Sequence, residues 1–201
     1  MNTFGKILMK TTAFFALLTI LCGVIYPLAV TGIAQAAFGS QAKGSIIAAD
    51  GHRYGSKLLA QPFTEDKYLW GRPMNVNITT FTGEEGERLF YAGPSNKTPA
   101  GEELAGIVAQ RAADLQAAHP EQGQKAIPVD LVTTSASGLD PHISVAAADY
   151  QIERIAKARG MNPSQVRKIV LEYTDKKVLG ILGEDTVNVL EVNLALDGLL
   201  D

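Results

Sequence analysis

The segment AFFALLTILCGVIYPLAVTGIAQAAF, residues 13–38, decides how this 201-residue chain is organised. It lies within a run of 32 residues, 11–42, that contains no Asp, Glu, Lys, Arg or His. About 20 apolar residues in a helix cross the ~30 Å hydrocarbon core of a bilayer, so this run is long enough to cross with some tilt. The sequence therefore predicts a transmembrane helix over residues 13–36, preceded by a short N-terminus, 1–12, and followed by a soluble domain, 37–201.

The same segment has a second interpretation, a signal peptide that is cleaved after Ala36. Lys6 and Lys10 would form its charged n-region, and residues 34–36 have the small-x-small form of a cleavage site. A signal h-region typically has about 7–15 residues, whereas residues 13–33 make an apolar run of 21. The length favours a retained anchor, and cleavage would instead release a secreted solute-binding domain.

The basic residues near the apolar run indicate its orientation. Lys6 and Lys10 precede it closely, and only Lys43 follows it closely. Lys and Arg are enriched on the cytoplasmic side of membrane spans. We therefore expect a single-pass protein with its N-terminus in the cytoplasm and its domain on the opposite side.

The composition excludes several kinds of protein. Cys22 is the only cysteine and lies in the apolar run, so one chain forms neither a disulfide framework nor a thiolate metal site. The net charge is −3, and Lys6 and Lys10 contribute +2 to it, so the chain after residue 42 carries −5. Nucleic-acid binding rests on basic surfaces, and this acidic domain therefore indicates no nucleic-acid partner.

Beyond the anchor the sequence shows both strand and helix patterns, which predict an α+β fold. Residues 45–48 and 57–60 are short apolar runs on either side of Asp50-Gly51, a dipeptide that is typical of hairpin turns. We expect these two runs to form a hairpin. Residues 79–99 are rich in Gly, Pro, Ser, Thr and Asn, and they are predicted to be an irregular loop.

Three further elements follow that loop. Thr98 is a good N-cap and Pro99 suits the first helical position, so a helix is expected from there to His119-Pro120. Residues 128–135, PVDLVTTS, are rich in Val and Thr and predict a strand. Residues 186–197, TVNVLEVNLALD, alternate apolar and polar side chains and predict a half-buried strand.

Two helices between these strands have clear end signals. Ser144 is a plausible cap for a helix over residues 145–159, and Gly160 fits its C-terminal stop. Asn162-Pro163, followed by Gln165, has the form of a capping box that starts another helix.

The motifs of common enzymes are absent from the sequence. It has no G-x-x-x-x-G-K-[ST] and no dinucleotide glycine fingerprint, and Asp-Lys-Lys at 175–177 is not an aspartyl-phosphate motif. Ser135, Asp140 and His142 suggest a hydrolase triad, but they lie within eight residues of one loop and could hardly converge. The three histidines are scattered along the chain. We predict no catalytic residue and no metal site.

The segment LVTTSASGLDPHIS, residues 131–144, is the strongest candidate for a binding site. A predicted strand leads into a turn rich in hydroxyls and glycine, and a helix N-terminus follows at Ser144. Exposed N–H groups and the helix dipole can hold an anion at such a turn. The same residues can instead satisfy the backbone of a tight strand-to-helix crossover, and the sequence leaves both interpretations open.

Four blocks of sequence point to one family. They are residues 131–144, AAADYQIERIAKARG (146–160), TVNVLEVNLALD (186–197) and, upstream, LLAQPFTEDKYLWGRP (58–73). Together with an N-terminal span that contains YPL, they resemble the KdpC family, the small subunits of bacterial potassium-transporting P-type ATPases. One loop departs from it, since the family usually shows S-G-G-S-N where this chain has Ala92-Gly93-Pro94-Ser95-Asn96.

The resemblance implies a non-catalytic accessory subunit of a high-affinity, ATP-driven potassium uptake complex in the bacterial inner membrane. Its partners would be a channel-like subunit that binds potassium, an ATP-hydrolysing pump subunit and membrane lipid. Such a subunit would support assembly and stability and act as a catalytic chaperone that raises the ATP affinity of the pump subunit. The nucleotide contact would fall on Ser135, Ser137, Gly138 and His142. A domain outside the cytoplasm does not meet cytoplasmic ATP, which argues against this contact.

Overall fold

The fold consists of a long apolar helix and a mixed helix and strand domain, which confirms the predicted fold class. A computed structural model describes residues 3–83 and 86–200. The chain divides into two compact units, Met1–Ile46 and Ile47–Asp201. The predicted N-terminus, 1–12, includes residues 1–2, and the predicted soluble domain, 37–201, includes residues 84–85 and 201, all of which lie outside the described residues.

The first unit is dominated by one continuous helix. It comprises α1 (Thr3–Ile20), a π-helical turn (Leu21–Ile25) and α2 (Tyr26–Ala37). It has 35 residues, none of them buried, and an 18-residue stretch of it has a mean hydropathy of 2.3, so by length and composition the helix can cross a membrane. The π-helical turn ends two residues before Pro27, whose missing N–H and bulky ring disturb the preceding turn of the helix. A short helix α3 (Gly39–Ala42) follows.

The Asp50-Gly51 turn joins β1 (Ile46–Ala49) to β2 (His52–Ser56) in a two-stranded sheet. Asp50 and Gly51 have φ values of +50° and +76°, as a two-residue hairpin turn requires. The hairpin prediction is confirmed, but its returning strand was placed wrongly at 57–60. A two-residue turn leads directly into the second strand, which therefore begins at His52.

Part of the predicted loop 79–99 is a second hairpin, so that prediction was wrong. Strand β3 (Val76–Thr82) pairs with β4 (Arg88–Ala92) in antiparallel register, with Val76 opposite Ala92 and Phe81 opposite Leu89. The aromatic and β-branched side chains of both segments suit strands. The sequence prediction missed both strands because the Gly and Thr content of the segment is typical of a loop. Residues 84–85 of the predicted loop lie outside the described residues.

Helix α4 (Glu102–Ala118) starts later than predicted and ends where predicted. Gly101 is its N-cap residue, because Gly101 N–H donates to Thr98 O and residues 98–101 form a separate turn. The helix ends at His119, before the 3₁₀ turn Pro120–Gln122.

The predicted strand 128–135 was wrong, since this segment forms a 3₁₀ turn, Val129–Leu131. The N–H groups of Leu131, Val132 and Thr133 donate to Pro128 O and Val129 O within the turn. Because these N–H groups donate within the turn, they cannot form the backbone hydrogen bonds that would pair the segment with a neighbouring strand.

The centre of the domain is a three-stranded antiparallel sheet in the order β5 (His142–Ser144), β7 (Thr186–Asn188), β6 (Thr174–Asp175). Helix α5 (Val145–Arg159) continues directly from β5, and α6 (Pro163–Glu172) leads to β6.

The predicted ends of α5 and α6 are confirmed. Ser144 Oγ accepts a hydrogen bond from Ala147 N, and Gly160 closes α5 at φ +63°. Asn162 and Gln165 form the expected capping box at the start of α6.

The predicted strand 186–197 was wrong beyond residue 188, because helix α7 (Val189–Leu196) starts there. Asn188 Oδ1 accepts from Glu191 N and caps it. Most residues of α7 are buried, on all sides of the helix. A helix that is apolar all round shows no clear 3.6-residue period, so its pattern resembles a buried strand.

The core surrounds α5. Five of its apolar side chains are at most 1% exposed: Ala147, Ala148, Tyr150, Ile152 and Ile155. They belong to one cluster with residues of α6, α7 and the sheet, namely Val166, Val170, Val192, Leu196 and Val187. Each Å² of apolar surface that is removed from water stabilises the fold by about 25 cal/mol, so the burial of this cluster is the main source of domain stability.

Candidate functional site

The hydroxyls of the candidate turn bond within the turn itself. Ser135 Oγ lies 3.1 Å from Ser137 Oγ and accepts from Gly138 N at 3.1 Å. Ser137 Oγ accepts from Leu139 N at 3.2 Å. The N–H groups of Gly138 and Leu139, which an anion site would use, therefore donate to these hydroxyls.

Gly138 is required by close packing against the base of the second hairpin. Its φ is +71°, and a Cβ there would lie 2.5 Å from Gly93 O and 2.9 Å from Asn75 O. Gly138 O accepts from Asn75 N at 3.0 Å. Asn75 Nδ2 in turn donates to Gly93 O and Pro94 O. The candidate turn is thus packed against the loop 92–96, the one that departs from the family pattern.

Asp140 and Arg72 connect the turn to the preceding chain. Asp140 Oδ1 accepts from His142 N at 3.0 Å, and Asp140 Oδ2 lies 3.4 Å from Arg72 Nη1. Arg72 also donates to the carbonyls of Thr133 and Thr134 at 3.3–3.4 Å. This guanidinium fixes the position of the 133–140 segment.

His142 faces away from the serines. Its Nε2 lies 3.3 Å from Asn188 Nδ2 and 3.7 Å from Asp175 Oδ2, and its Nδ1 lies 3.9 Å from Asp140 Oδ1. Among the described residues, no hydrogen bond joins the imidazole to Ser135. The structure therefore brings Ser135, Ser137 and Gly138 together and leaves the His142 ring in a different environment, beside Asn188, Asp140 and Asp175.

The cleft beside His142 is lined by charged side chains. It measures about 530 Å³ and is lined by four carboxylates (Asp130, Asp140, Glu184 and Asp185) and by Arg72. Asp130 accepts from Ser144 N and Oγ, and Asp185 accepts from Lys176 Nζ and Lys177 N. In the described part of the chain, no cluster of three or more His, Cys, Asp or Glu side chains could hold a metal ion. Three of the four carboxylates pair with cations, Asp140 with Arg72, Glu184 with Lys177 and Asp185 with Lys176. The nucleotide contact stays a prediction.

Sequence reasoning missed a second cluster, in which side chains clamp the extended segment Leu69–Trp70. Asn193 Oδ1 accepts from Leu69 N at 2.7 Å, and its Nδ2 donates to Leu69 O at 2.9 Å. Gln151 bonds the N–H and carbonyl of Trp70 in the same way, at 2.8 and 3.0 Å. Both amides are at most 1% exposed. They take the place of a neighbouring strand and satisfy backbone that would otherwise be buried without partners.

Arg154 completes this clamp. It is 5% exposed, and its guanidinium lies 3.9 Å above the Trp70 ring. It donates to Asp66 O, to Tyr68 O at 3.0 Å and to His119 Nε2 at 2.9 Å. Burial lowers the pKa of Arg154 to about 10, so the group remains a cation at neutral pH.

His119 is the neutral partner of this cation. Burial lowers the pKa of His119 below its usual value, and the charge of Arg154 lowers it further, although the bond to Leu115 O opposes both. Nδ1–H donates to Leu115 O at 2.8 Å, which leaves Nε2 as the acceptor for Arg154. The polar groups of this cluster are thus committed to holding the chain. A polar residue repeated within an otherwise apolar helix face, such as Gln151 or Asn193, was the available sequence signal.

Known proteins similar to this chain share nearly its whole length. The KdpC family model, described as "K+-transporting ATPase, c chain", matches residues 8–198. A Clostridium botulinum protein named "Potassium-transporting ATPase KdpC subunit" is 54% identical over 200 residues, 100% of both chains. Proteins of the same name from Clostridium perfringens and Sorangium cellulosum are 52% and 50% identical, over 97% and 90% of this chain and 98% and 92% of theirs. With a family match and relatives of this extent, the chain belongs to the KdpC family of potassium-transporting ATPase subunits.

Proposed function

We propose that this subunit is a non-catalytic accessory component of the potassium-transporting ATPase. Its helix anchors it in the bacterial inner membrane, and its domain lies outside the cytoplasm. It supports the assembly and stability of a complex with a channel-like, potassium-binding subunit and an ATP-hydrolysing pump subunit. The observation that carries this proposal is the helix Thr3–Ala37, which has 35 residues, an 18-residue stretch with a mean hydropathy of 2.3 and no buried residue.

The chemistry of the domain supports a non-catalytic role. Catalysis by a nucleophile requires a base within hydrogen-bonding distance of it. Ser135 bonds to Ser137 and Gly138, and the His142 ring bonds to Asn188. These side chains hold the loop in place and are not arranged for proton transfer to one another.

Growth at low potassium tests the proposal. In cells that depend on the pump for potassium, deleting this subunit should abolish growth at low potassium, and the full chain should restore it. Normal growth of the deletion strain would contradict the proposal.

Two loop variants separate an accessory role from a nucleotide or catalytic role. Ser135→Ala and His142→Gln should restore growth and transport to within about twofold of wild type, since each removes hydrogen bonds worth only about 0.5–1.5 kcal/mol apiece and leaves the domain folded. A loss of transport with an intact complex would instead favour chemistry or ATP contact in this loop. Calorimetry of ATP with the full chain in detergent should show no heat of binding, and saturable binding would revive the chaperone role.

A further inference from the structure

The hairpin β3–β4 exposes an unusual amount of apolar surface. Six large apolar side chains on it are exposed, from 37% for Val76 to 61% for Phe90; the others are Ile78, Phe81, Leu89 and Tyr91. Three of the six are aromatic, and an aromatic side chain has about 150–250 Å² to bury, so these three, half-exposed, present on the order of 300 Å² and the three aliphatic side chains add to it. Exposed apolar surface that is clustered in this way on a soluble protein marks an interaction site.

Both faces of this ribbon are apolar. The register places Phe81 opposite Leu89 and Asn77 opposite Tyr91, so Phe81, Leu89 and Tyr91 share one face. The rings of Phe81 and Tyr91 lie 6.3 Å apart on that face. Phe90 lies between Leu89 and Tyr91 in β4 and so points to the opposite face. A ribbon that is apolar on both faces has no solvent side, and a partner must enclose it.

The edges of the ribbon are also open. Within residues 3–83 and 86–200, β3 and β4 pair only with each other. The rest of the domain bonds to the base of the hairpin, where Gly138 O accepts from Asn75 N. A two-stranded hairpin alone is marginally stable in water. Its outer edges carry N–H and C=O groups that are suited to pairing with another strand.

A protein fits this ribbon better than a lipid bilayer does. Open strand edges do not enter hydrocarbon, because nothing there satisfies their backbone groups. The sequence GEEGER, residues 83–88, which contains the connection between the two strands, has a net charge of −2, and this charge opposes an anionic membrane surface. The −5 charge of the chain after residue 42 similarly opposes pairing with a second copy.

We propose that β3–β4 is a docking element that inserts into an apolar crevice on another protein subunit of the ATPase complex. That subunit encloses both faces of the ribbon and adds backbone hydrogen bonds at an open edge. The apolar area supplies a large part of the ~800 Å² that each partner buries in a standard interface. The inference rests on the proposed function, because it requires assembly into the complex.

Photo-crosslinking from the two faces tests this directly. The full chain is expressed with the other subunits, with p-benzoylphenylalanine in place of Phe90 or of Tyr91. The control carries it in place of Leu171 on α6, which is 53% exposed, as Tyr91 is. We expect both hairpin positions to crosslink to another subunit and the Leu171 position to give none. Crosslinks to lipid, crosslinks to a second copy or no crosslink at the hairpin would each overturn the docking assignment.

Substitution provides the second measurement. Phe90→Ser and Tyr91→Ser together should lower co-purification with the complex by about tenfold or more, as expected for truncated interface hot spots. Leu171→Ser should leave it within about twofold of wild type, since isolated exposed positions contribute little. Unfolding temperatures of the purified chains show whether the double variant still folds.

The outcomes separate this inference from the proposed function. If wild type fails to co-purify with the other subunits, the accessory role itself is wrong. If wild type co-purifies and the folded double variant does so equally well, only the docking role of the hairpin is refuted.

Discussion

Replacing Arg154 with methionine tests the claim that its guanidinium holds the Leu69–Trp70 segment in place. Methionine keeps the long apolar stem but cannot donate to Asp66 O, Tyr68 O or His119 Nε2. Each buried acceptor left without a donor costs about 1–3 kcal/mol.

Two effects reduce the total cost of Arg154→Met. Methionine does not have to be desolvated as a cation, and water can relax into part of the site. We therefore expect a net loss of about 3 kcal/mol in the free energy of unfolding, a large fraction of the ~5–15 kcal/mol that is typical of a domain.

The matched control is Arg167→Met on α6. Arg167 makes a single ion pair, at 2.7 Å to Asp149, and its side chain is 52% exposed. An exposed pair of this kind contributes roughly 0–1 kcal/mol. The comparison therefore separates the buried clamp from the general effect of removing a positive charge.

The assay is urea unfolding of the full chain in detergent, followed by far-UV circular dichroism. Fluorescence is unsuitable, since the only tryptophan, Trp70, stacks on the guanidinium that is removed. With a denaturant slope of about 2 kcal/mol per M, the midpoint of Arg154→Met should fall by roughly 1.5 M. A fall no larger than that of Arg167→Met would refute the clamp.

Two other predictions concern His119 and Gly138. The folded pKa of His119 lies below its unfolded value of about 6.5, so the unfolded chain takes up the proton first and stability falls as pH drops through that value. In wild type the urea midpoint should fall between about pH 7.5 and 5, and in His119→Gln this fall should be smaller. An equal fall in both proteins would contradict the lowered pKa of His119. Gly138→Ala should destabilise the domain by more than about 2 kcal/mol, since it adds a backbone clash to left-handed strain. Gly180→Ala, at φ +75° with open surroundings, should lose only about 1 kcal/mol, and equal losses in unfolding experiments would show that the close packing is unimportant.

Local signals predicted the fold well where an element is determined by its own ends. The caps at Ser144 and Asn162 and the stop at Gly160 were correct, because each depends on residues within four positions. The strand predicted at 186–197 failed because α7 is buried on all sides, and burial overrides periodicity.

The candidate site was only partly accessible to sequence reasoning. The turn at Ser135–Gly138 was found because hydroxyls and glycine mark it locally. The amide clamp was not found, since Gln151 and Trp70 are 81 positions apart and nothing local pairs them. Long-range pairing of this kind follows from the packing of α5 and α7 against one segment, which a single sequence does not show.

The central claim is that an anchored subunit presents its domain outside the cytoplasm. Cys22, the only cysteine, lies in the apolar helix, so a Cys22→Ala background allows single cysteines to be placed on either side. The exposed positions Lys6 and Lys125 suit this purpose. The measurement is labelling of Lys125→Cys and of Lys6→Cys by a membrane-impermeant maleimide in intact spheroplasts. We expect Lys125→Cys to react at once and Lys6→Cys only after permeabilisation, with both chains in the membrane fraction. The reverse order of labelling, or a released domain that lacks the helix, would contradict the account.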